Sequence, residues 1–94
     1  MFPEIVQVVS NENYTVTVYF EDGKIVLYDI APLLVKEIFR PLIDENIFIN
    51  TCIIMNKSLA WDLEGNRDVG KCIDIDPLTL YALPTIDDGS YQDR

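Results

Sequence analysis

A short acidic segment carries an oxygen-bearing side chain at every second position from residue 62 to residue 68. Its carboxylates are those of Asp62, Glu64 and Asp68, and calcium loops use such spacing to direct several oxygen ligands at one ion. The rest of such a loop is missing, because Gly65 stands at the fourth place rather than the sixth and Ile73 occupies the twelfth. The segment, residues 63–71, is therefore expected to be a solvated loop, with weak divalent-cation binding as an alternative.

Two further carboxylates, those of Asp74 and Asp76, lie one residue apart in an extended segment. Along a strand this spacing separates them by about 6–7 Å on the same side. Paired carboxylates can divide general-acid and general-base roles when their surroundings separate their pKa values. Asp76 precedes Pro77, however, and that order is typical of a helix cap followed by the first helical residue. Structural roles are therefore favoured for both.

Residues suited to nucleophilic or metal chemistry are scarce. The sequence has no histidine, the commonest general base and neutral metal ligand. Cys52 and Cys72 form neither a C-x-x-C pair nor a disulfide framework, and two reduced thiols are favoured over a disulfide. Phosphate-binding glycine loops and nucleophile elbows are missing from the sequence as well. The sequence predicts no enzyme, no bound metal and no cofactor.

The balance of charge excludes further classes of function. Sixteen acidic residues against seven basic ones give a net charge of -9, and phosphate backbones are bound mainly by Lys and Arg, so direct nucleic-acid binding is not expected. No apolar run approaches the ~20 residues that span a bilayer, and no secretory signal is visible. We expect a cytoplasmic protein off the membrane, with one domain over residues 1–84 and a polar, flexible tail over residues 85–94.

The clearest structural signal is a β-hairpin. Two runs of β-branched and aromatic residues, 14–21 and 24–30, flank Asp22-Gly23, a dipeptide that favours a two-residue type I′ turn. Such a turn would place Phe20 opposite Ile25. The core face would then consist of apolar side chains from both strands: Val16, Val18, Phe20, Ile25 and Leu27.

The other face of this hairpin is expected to carry Thr17, Tyr19 and Tyr28 together with Val26. Tyrosine is enriched in the centres of protein interfaces, so this face is a candidate contact surface. An ordinary solvated face is the alternative.

Short helices are expected after the hairpin. An α-helix over residues 31–40, capped by Asp29 and ended by Pro41, would bury one apolar stripe. That stripe is Leu34, Val35, Ile38 and Phe39. Asp44 is expected to cap a single turn over residues 45–48 that places Ile47 and Phe48 on the core. A first strand is expected before the hairpin, at 4–10, and two more after the helices, at 51–55 and 58–62. A last helix runs from Pro77 to about Tyr81. The sequence therefore predicts an α+β fold: a small antiparallel sheet with a central β-hairpin and one or two short helices packed on one face.

Trp61 is the only tryptophan and stands beside the acidic loop. Packing in the core is the default expectation, and anchoring a partner is the alternative. If the ring is buried, its N–H needs an acceptor, for which Asp74 or a loop carbonyl is a candidate.

The order of these features resembles the bacterial family called domain of unknown function twenty-four forty-two, over residues 5–81. The shared motifs are Phe20-Glu21-Asp22-Gly23, Tyr28-Asp29-Ile30, Trp61 and Asp74-Ile75-Asp76-Pro77-Leu78-Thr79-Leu80-Tyr81. One departure is the 12 residues between Trp61 and Asp74, where the family has only a few. The resemblance therefore assigns no role to that pair.

The resemblance implies a small α+β domain with no assigned activity. Members are often encoded beside a small protein of the family called domain of unknown function forty-one sixty, an arrangement interpreted as a toxin–antitoxin pair. This acidic chain resembles the antitoxin-side partner. The leading hypothesis is thus a non-catalytic protein-interaction module with a basic partner encoded nearby. Its candidate contact residues are Thr17, Tyr19, Tyr28, Trp61, Asp62, Glu64, Asp68, Asp74 and Asp76. The alternatives are a homodimer without another partner and a weak cation-binding domain.

Overall fold

Two antiparallel sheets of three strands each form the framework of the computed structural model, which describes residues 3–63 and 73–86. The first sheet, in the order β1-β2-β3, consists of β1 (Ile5–Ser10), β2 (Thr15–Phe20) and β3 (Ile25–Asp29). The second, in the order β4-β5-β6, consists of β4 (Cys52–Met55), β5 (Ser58–Trp61) and β6 (Ile73–Ile75).

Short helical segments connect and follow the sheets. Two 3₁₀ helices (Ala31–Val35 and Glu37–Ile43) and α1 (Glu45–Asn50) lead from the first sheet to the second, and α2 (Pro77–Tyr81) follows β6. None of the described helices is long and apolar enough to cross a membrane. The α+β class expected from the sequence is confirmed, with two small sheets instead of one.

The β2–β3 hairpin closes through three residues and not through two. Gly23 N–H donates to the Phe20 carbonyl oxygen at 3.0 Å, and Phe20 N–H donates to that of Lys24 at 2.9 Å. Gly23 has a φ of +94°, in the left-handed region that glycine adopts without steric cost. A turn of this kind with glycine last is a common three-residue hairpin loop. The predicted two-residue turn is therefore wrong.

The longer loop shifts the pairing by one residue. Val18 lies opposite Val26, and Thr17 lies opposite Leu27. Because side chains alternate along a strand, this shift turns each side chain of β3 to the other face. Val26 is 0% exposed and Leu27 is 44% exposed, the reverse of the prediction. Ile25 likewise leaves the predicted core face, on which Val16, Val18 and Phe20 are buried as expected.

The predicted helix over residues 31–40 is also wrong. Lys36 is extended, with φ -82° and ψ 141°, and divides the segment into the two 3₁₀ helices. A 3₁₀ helix has about three residues per turn, so Phe39 and Leu42 share its buried face. Val35 and Ile38 fall outside that face and are 83% and 65% exposed. Pro41 lies inside the second 3₁₀ helix and does not end it.

The caps predicted at Asp44 and Asp76 and the second hairpin are confirmed. Asp29 accepts the Ala31 N–H at 2.9 Å, but it stands one residue before the N-cap of a 3₁₀ helix and does not cap an α-helix. The carboxylates of Asp44 and Asp76 accept hydrogen bonds from the N–H groups of Asn46 and Leu78 and so cap α1 and α2.

The turn of the second hairpin lies between β4 and β5. Asn56 and Lys57 have φ values of 54° and 66° there, as a type I′ turn requires. In α1, Phe48 is buried as expected, whereas Ile47 is 36% exposed.

The core lies between the first sheet, the helical segments and the second sheet. Its buried side chains include Val16, Val18 and Val26 from one sheet and Leu59 and Trp61 from the other. Leu42, Phe48 and Leu80 come from the helical segments. One face of the first sheet is thus covered, and none of the described helices packs on its opposite face.

Candidate interaction surface

The uncovered face of the first sheet, called here the outer face, consists of two rows of side chains across the strands. One row is Val9, Thr17 and Leu27, and the other is Gln7, Tyr19 and Ile25. Val9 is 37% exposed and Leu27 is 44% exposed, whereas Val18 and Val26 on the opposite face are fully buried. Two exposed aliphatic side chains thus flank a threonine hydroxyl in the middle of a sheet.

Side-chain hydrogen bonds fix one end of the outer face. The Asn11 amide donates to Thr15 Oγ1 at 3.1 Å and to Thr17 Oγ1 at 3.3 Å. Thr15 Oγ1 in turn donates to Asn13 Oδ1 at 2.6 Å. Side chains held by such contacts lose less conformational freedom when a partner binds. The outer face therefore combines exposed apolar groups with a preorganised polar edge.

Carboxylates lie at the ends of the outer face. Asp29 is exposed and continues the alternation of Ile25 and Leu27, and Glu21 is exposed at the hairpin loop. The basic side chains of the described residues lie elsewhere. Lys24 contacts Tyr81, and Lys57 forms an ion pair with Glu4 at 3.3 Å. Lys36 and Arg40 belong to the helical segments on the other side of the sheet. The outer face is therefore apolar at its centre and acidic at its ends.

Of the predicted tyrosine face, Thr17 and Tyr19 remain together and Tyr28 does not. Thr17 and Tyr19 are both half-buried on the outer face. Tyr28 lies opposite Val16 and packs against the core, where burial raises the pKa of its hydroxyl. The prediction for Tyr28 depended on the wrong hairpin register.

Trp61 is a core residue and does not reach the surface. It is 0% exposed and stacks on Phe48 at a ring-centroid distance of 5.8 Å. Its Nε1–H has no acceptor among the described residues, and Asp74 does not supply one. Asp74 lies opposite Ala60, so it occupies the other face of the second sheet. The default expectation that Trp61 packs in the core is confirmed, and so buried a ring gives no support to the alternative role as a partner anchor.

The predicted acidic residues that the structure describes, Asp62, Asp74 and Asp76, do not form one exposed cluster. Asp62 is buried, and its N–H donates to the Thr51 carbonyl oxygen at 3.0 Å. Asp74 and Asp76 are exposed, the second as the cap of α2. Glu64 and Asp68, with most of the predicted acidic loop, lie outside the described residues. Within residues 3–63 and 73–86, no group of three or more His, Cys, Asp or Glu side chains is arranged to hold a metal ion.

Cys52 is a free, half-buried thiol on β4. Burial disfavours the thiolate and raises the pKa of this thiol to about 12. A thiol with so high a pKa is a poor nucleophile at neutral pH. Cys72, for which a reduced thiol was also predicted, lies outside the described residues.

A second group of polar contacts joins the first hairpin to α2. The Tyr81 hydroxyl donates to Asp22 Oδ2 at 2.5 Å, and Lys24 Nζ donates to the Tyr81 carbonyl oxygen at 2.5 Å. Lys24 Nζ also lies 4.4 Å from the centroid of the Tyr81 ring, and Phe20 packs edge-on against that ring at 4.9 Å. The hydrogen bond to Asp22 raises the pKa of Tyr81 and lowers that of Asp22.

These contacts bring together the two motifs that are farthest apart in the sequence, the Asp-Gly hairpin and the Pro-Leu-Thr-Leu-Tyr helix. The sequence matches the family described as "Protein of unknown function (DUF2442)" over residues 5–84. The chain belongs to this DUF2442 family. No curated protein matches it, and no solved structure does. In this DUF2442 chain, the hairpin motif and the terminal tyrosine motif stabilise each other directly.

Sequence reasoning missed the exposed apolar residues of the outer face, Val9 and Leu27. The signal for Leu27 was present in the loop, where glycine is the third residue after Phe20. Glycine at that place fits a three-residue loop with a left-handed last residue as well as a two-residue turn. A three-residue loop places Leu27 on the outer face.

Proposed function

We propose that this DUF2442 chain is a non-catalytic protein-interaction module that binds a basic partner protein through the outer face. The observation that carries the proposal is the exposure of Val9 and Leu27, at 37% and 44%, on either side of Thr17 in the middle of a sheet. Exposed apolar groups that lie together are typical of interaction sites. Tyr19 in the adjacent row adds a large side chain of the kind that interface centres favour.

The charge of the chain supports a basic partner. A net charge of -9 attracts a cationic protein over distance and speeds its association. Asp29 and Glu21 at the ends of the outer face provide acidic groups close to its apolar centre. We therefore expect a partner whose apolar contact patch is bordered by Lys or Arg. The antitoxin-like half of a bacterial toxin–antitoxin pair is the biological role that fits this chemistry and the resemblance described above.

Co-expression with the product of the neighbouring gene tests the proposal. The two proteins should co-elute in gel filtration at low salt, and added salt should weaken the complex because it screens the attraction. Elution as two separate proteins at low salt would contradict the proposal. Light scattering on the chain alone distinguishes the alternative, because a stable dimer would favour a homodimer without another partner.

A matched pair of variants tests the surface itself. Leu27→Asp places a carboxylate in the apolar centre of the outer face, and we expect it to weaken the complex at least about tenfold, since burying an unpaired charge is costly. Val35→Asp makes a similar change on the first 3₁₀ helix, where the side chain is 83% exposed. This control should leave the complex intact. Equal loss in both variants would contradict the assignment of the binding surface to the outer face.

A further inference from the structure

The direction of the backbone groups along β3 follows from its pairing with β2. Phe20 N–H bonds to the Lys24 carbonyl oxygen at 2.9 Å, and Ile30 N–H bonds to that of Tyr14 at 3.0 Å. Hydrogen-bonded pairs recur at every second residue of an antiparallel ladder. The even-numbered residues of β3 therefore bond to β2. The odd-numbered ones direct N–H and C=O away from it, along the free edge of the sheet.

One position on this edge already has a partner. Ile86 N–H donates to the Ile25 carbonyl oxygen at 2.8 Å, as an additional strand would. Beyond it, the outward N–H and C=O groups of Leu27 make no hydrogen bond within the described residues. The described chain therefore covers one end of the β3 edge and leaves the other end, from Leu27 to Asp29, unpaired. Such unpaired edges accept extended segments of other chains.

The side chains at the open end indicate what kind of segment fits. Leu27, which is 44% exposed, and Asp29, which is exposed, both lie on the outer-face side of β3. Cross-strand neighbours are favourable when apolar groups meet or when opposite charges meet. A strand added here would therefore place an apolar residue beside Leu27 and a basic residue two positions away, beside Asp29.

A second copy of this chain fits the edge poorly. A symmetric antiparallel pairing centred on Leu27 would bring Asp29 of each copy to Ile25 of the other, where Ile86 already bonds. A pairing centred on Asp29 would place two carboxylates directly opposite each other, which is destabilising. The net charge of -9 on each copy opposes association further.

We infer that the β3 edge from Leu27 to Asp29 is a site for strand addition, and that its occupant is an extended partner segment in which apolar and basic residues alternate. The inference rests on the proposed function, because it names how that basic partner is recognised. Backbone hydrogen bonds to Leu27 supply affinity, and Asp29 selects for positive charge. The added strand extends the outer face by one row of side chains.

Synthetic peptides test the site without any need to know the natural partner. The probe is a seven-residue peptide of alternating lysine and valine, titrated into the isotope-labelled full chain and followed by NMR. We expect saturable shifts centred on the Leu27 and Asp29 amides, with slower hydrogen exchange at Leu27. Binding should weaken at least about fivefold when alternate peptide amides are methylated, since one lost hydrogen bond typically has an effect of this size. A control peptide of the same length, with glutamate in place of each lysine, should not bind.

Two protein variants separate backbone pairing from side-chain contact. Leu27→Pro removes the outward N–H, and Leu27→Thr keeps it while removing much of the apolar side chain. We expect Leu27→Pro to lose at least about fivefold more peptide affinity than Leu27→Thr. If Leu27→Pro does not fold, the methylated peptide still decides, because it leaves the protein unchanged.

Several results would overturn the inference. These are no binding of the lysine–valine peptide, binding with shifts elsewhere, and equal binding of the methylated peptide. A Leu27 amide already protected in the free chain would show that the chain itself or a second copy occupies the edge. A complex with the neighbouring protein but no peptide binding would retain the proposed function and reject the strand-addition site. Peptide binding without such a complex would retain the strand-addition site and reject the proposed function.

Discussion

The Tyr81 hydroxyl donates a hydrogen bond of 2.5 Å to the Asp22 carboxylate, across a separation of 59 residues in the sequence. Lys24, which directly precedes β3, bonds to the Tyr81 carbonyl oxygen and lies over the Tyr81 ring. The hairpin loop and α2 are therefore held together by groups from both motifs. Because β3 belongs to this hairpin, the contact also stabilises one border of the proposed interaction surface.

Tyr81→Phe should lower stability most between about pH 4 and pH 10. The pKa of Asp22 lies below its usual 3.8, so this contact contributes stability above that pH and loses it as pH falls through the lowered pKa. The pKa of Tyr81 lies above its usual 10.0, so the same contribution is lost as pH rises beyond that value. Thermal unfolding of both proteins at acid, neutral and alkaline pH measures the difference.

Tyr19→Phe is the matched control for this experiment. Tyr19 lies on the outer face, and its hydroxyl makes no hydrogen bond within the described part of the chain. Removing this hydroxyl should leave the melting temperature unchanged at each pH. Asp22→Asn should return the pKa of Tyr81 toward 10.0 in a spectroscopic titration. An unchanged tyrosine titration in that variant would show that the Asp22 contact does not form in solution.

Gly23→Ala should destabilise the chain by about 1 kcal/mol, because an L side chain at positive φ clashes with its own backbone. No atom lies within 4 Å of a Cβ placed on Gly23, so crowding adds nothing to this cost. Gly23→Asn should cost less, since asparagine tolerates the left-handed region. Urea unfolding of the three proteins gives the comparison. Equal stability of the alanine variant and the unaltered chain would argue against the φ of +94°.

The same loop shows how far the sequence alone could predict the fold. Alternating β-branched residues were enough to predict both hairpins, and Asp44 and Asp76 were enough to predict two helix caps. The sequence did not determine the register of β3, because Asp22-Gly23 fits either a two-residue turn or the last part of a three-residue loop. The length of the loop decides whether Val26 or Leu27 is exposed, and it therefore decides which residues form the candidate surface.

The helical connection had a different difficulty. Leu34, Val35, Ile38 and Phe39 fit one stripe of an α-helix with 3.6 residues per turn. The chain forms 3₁₀ turns instead, in which Leu34 and Phe39 pack on the core and the other two are exposed. Tertiary packing of Phe39 and Leu42 determines this outcome. A pattern within one segment carries no information on that packing.

Replacement of Val26 or Leu27 by aspartate tests the register directly. Val26 is 0% exposed, so Val26→Asp buries an unpaired charge and should cost more than about 4 kcal/mol, enough to prevent stable folding. Leu27 is 44% exposed, and Leu27→Asp should change stability by about 1 kcal/mol or less. Circular dichroism and urea unfolding distinguish the variants, which carry the same added charge. A folded Val26→Asp beside an unfolded Leu27→Asp would restore the two-residue turn.

Titration of the Cys52 thiol should lower the stability of the folded chain as pH rises from about 9 to about 12. Its thiol has a pKa raised by burial from 9.0 to about 12, so the unfolded chain loses this proton at a lower pH than the folded chain does. Between these two values the unfolded state binds fewer protons, and the free energy of unfolding must therefore fall with pH. Melting temperatures measured across this range should decline more steeply in the unaltered chain than in Cys52→Ala.

The alanine variant needs no correction for the tyrosines, because Tyr28 and Tyr81 titrate in both proteins and contribute equally to the decline. At neutral pH, Cys52→Ala should cost about 1 kcal/mol through lost packing of the half-buried sulfur. The two stability curves should therefore converge as pH rises, with the difference shrinking from about pH 9 upward. Parallel curves would mean that the Cys52 thiol is solvated in the folded chain and that β4 lies further from the core.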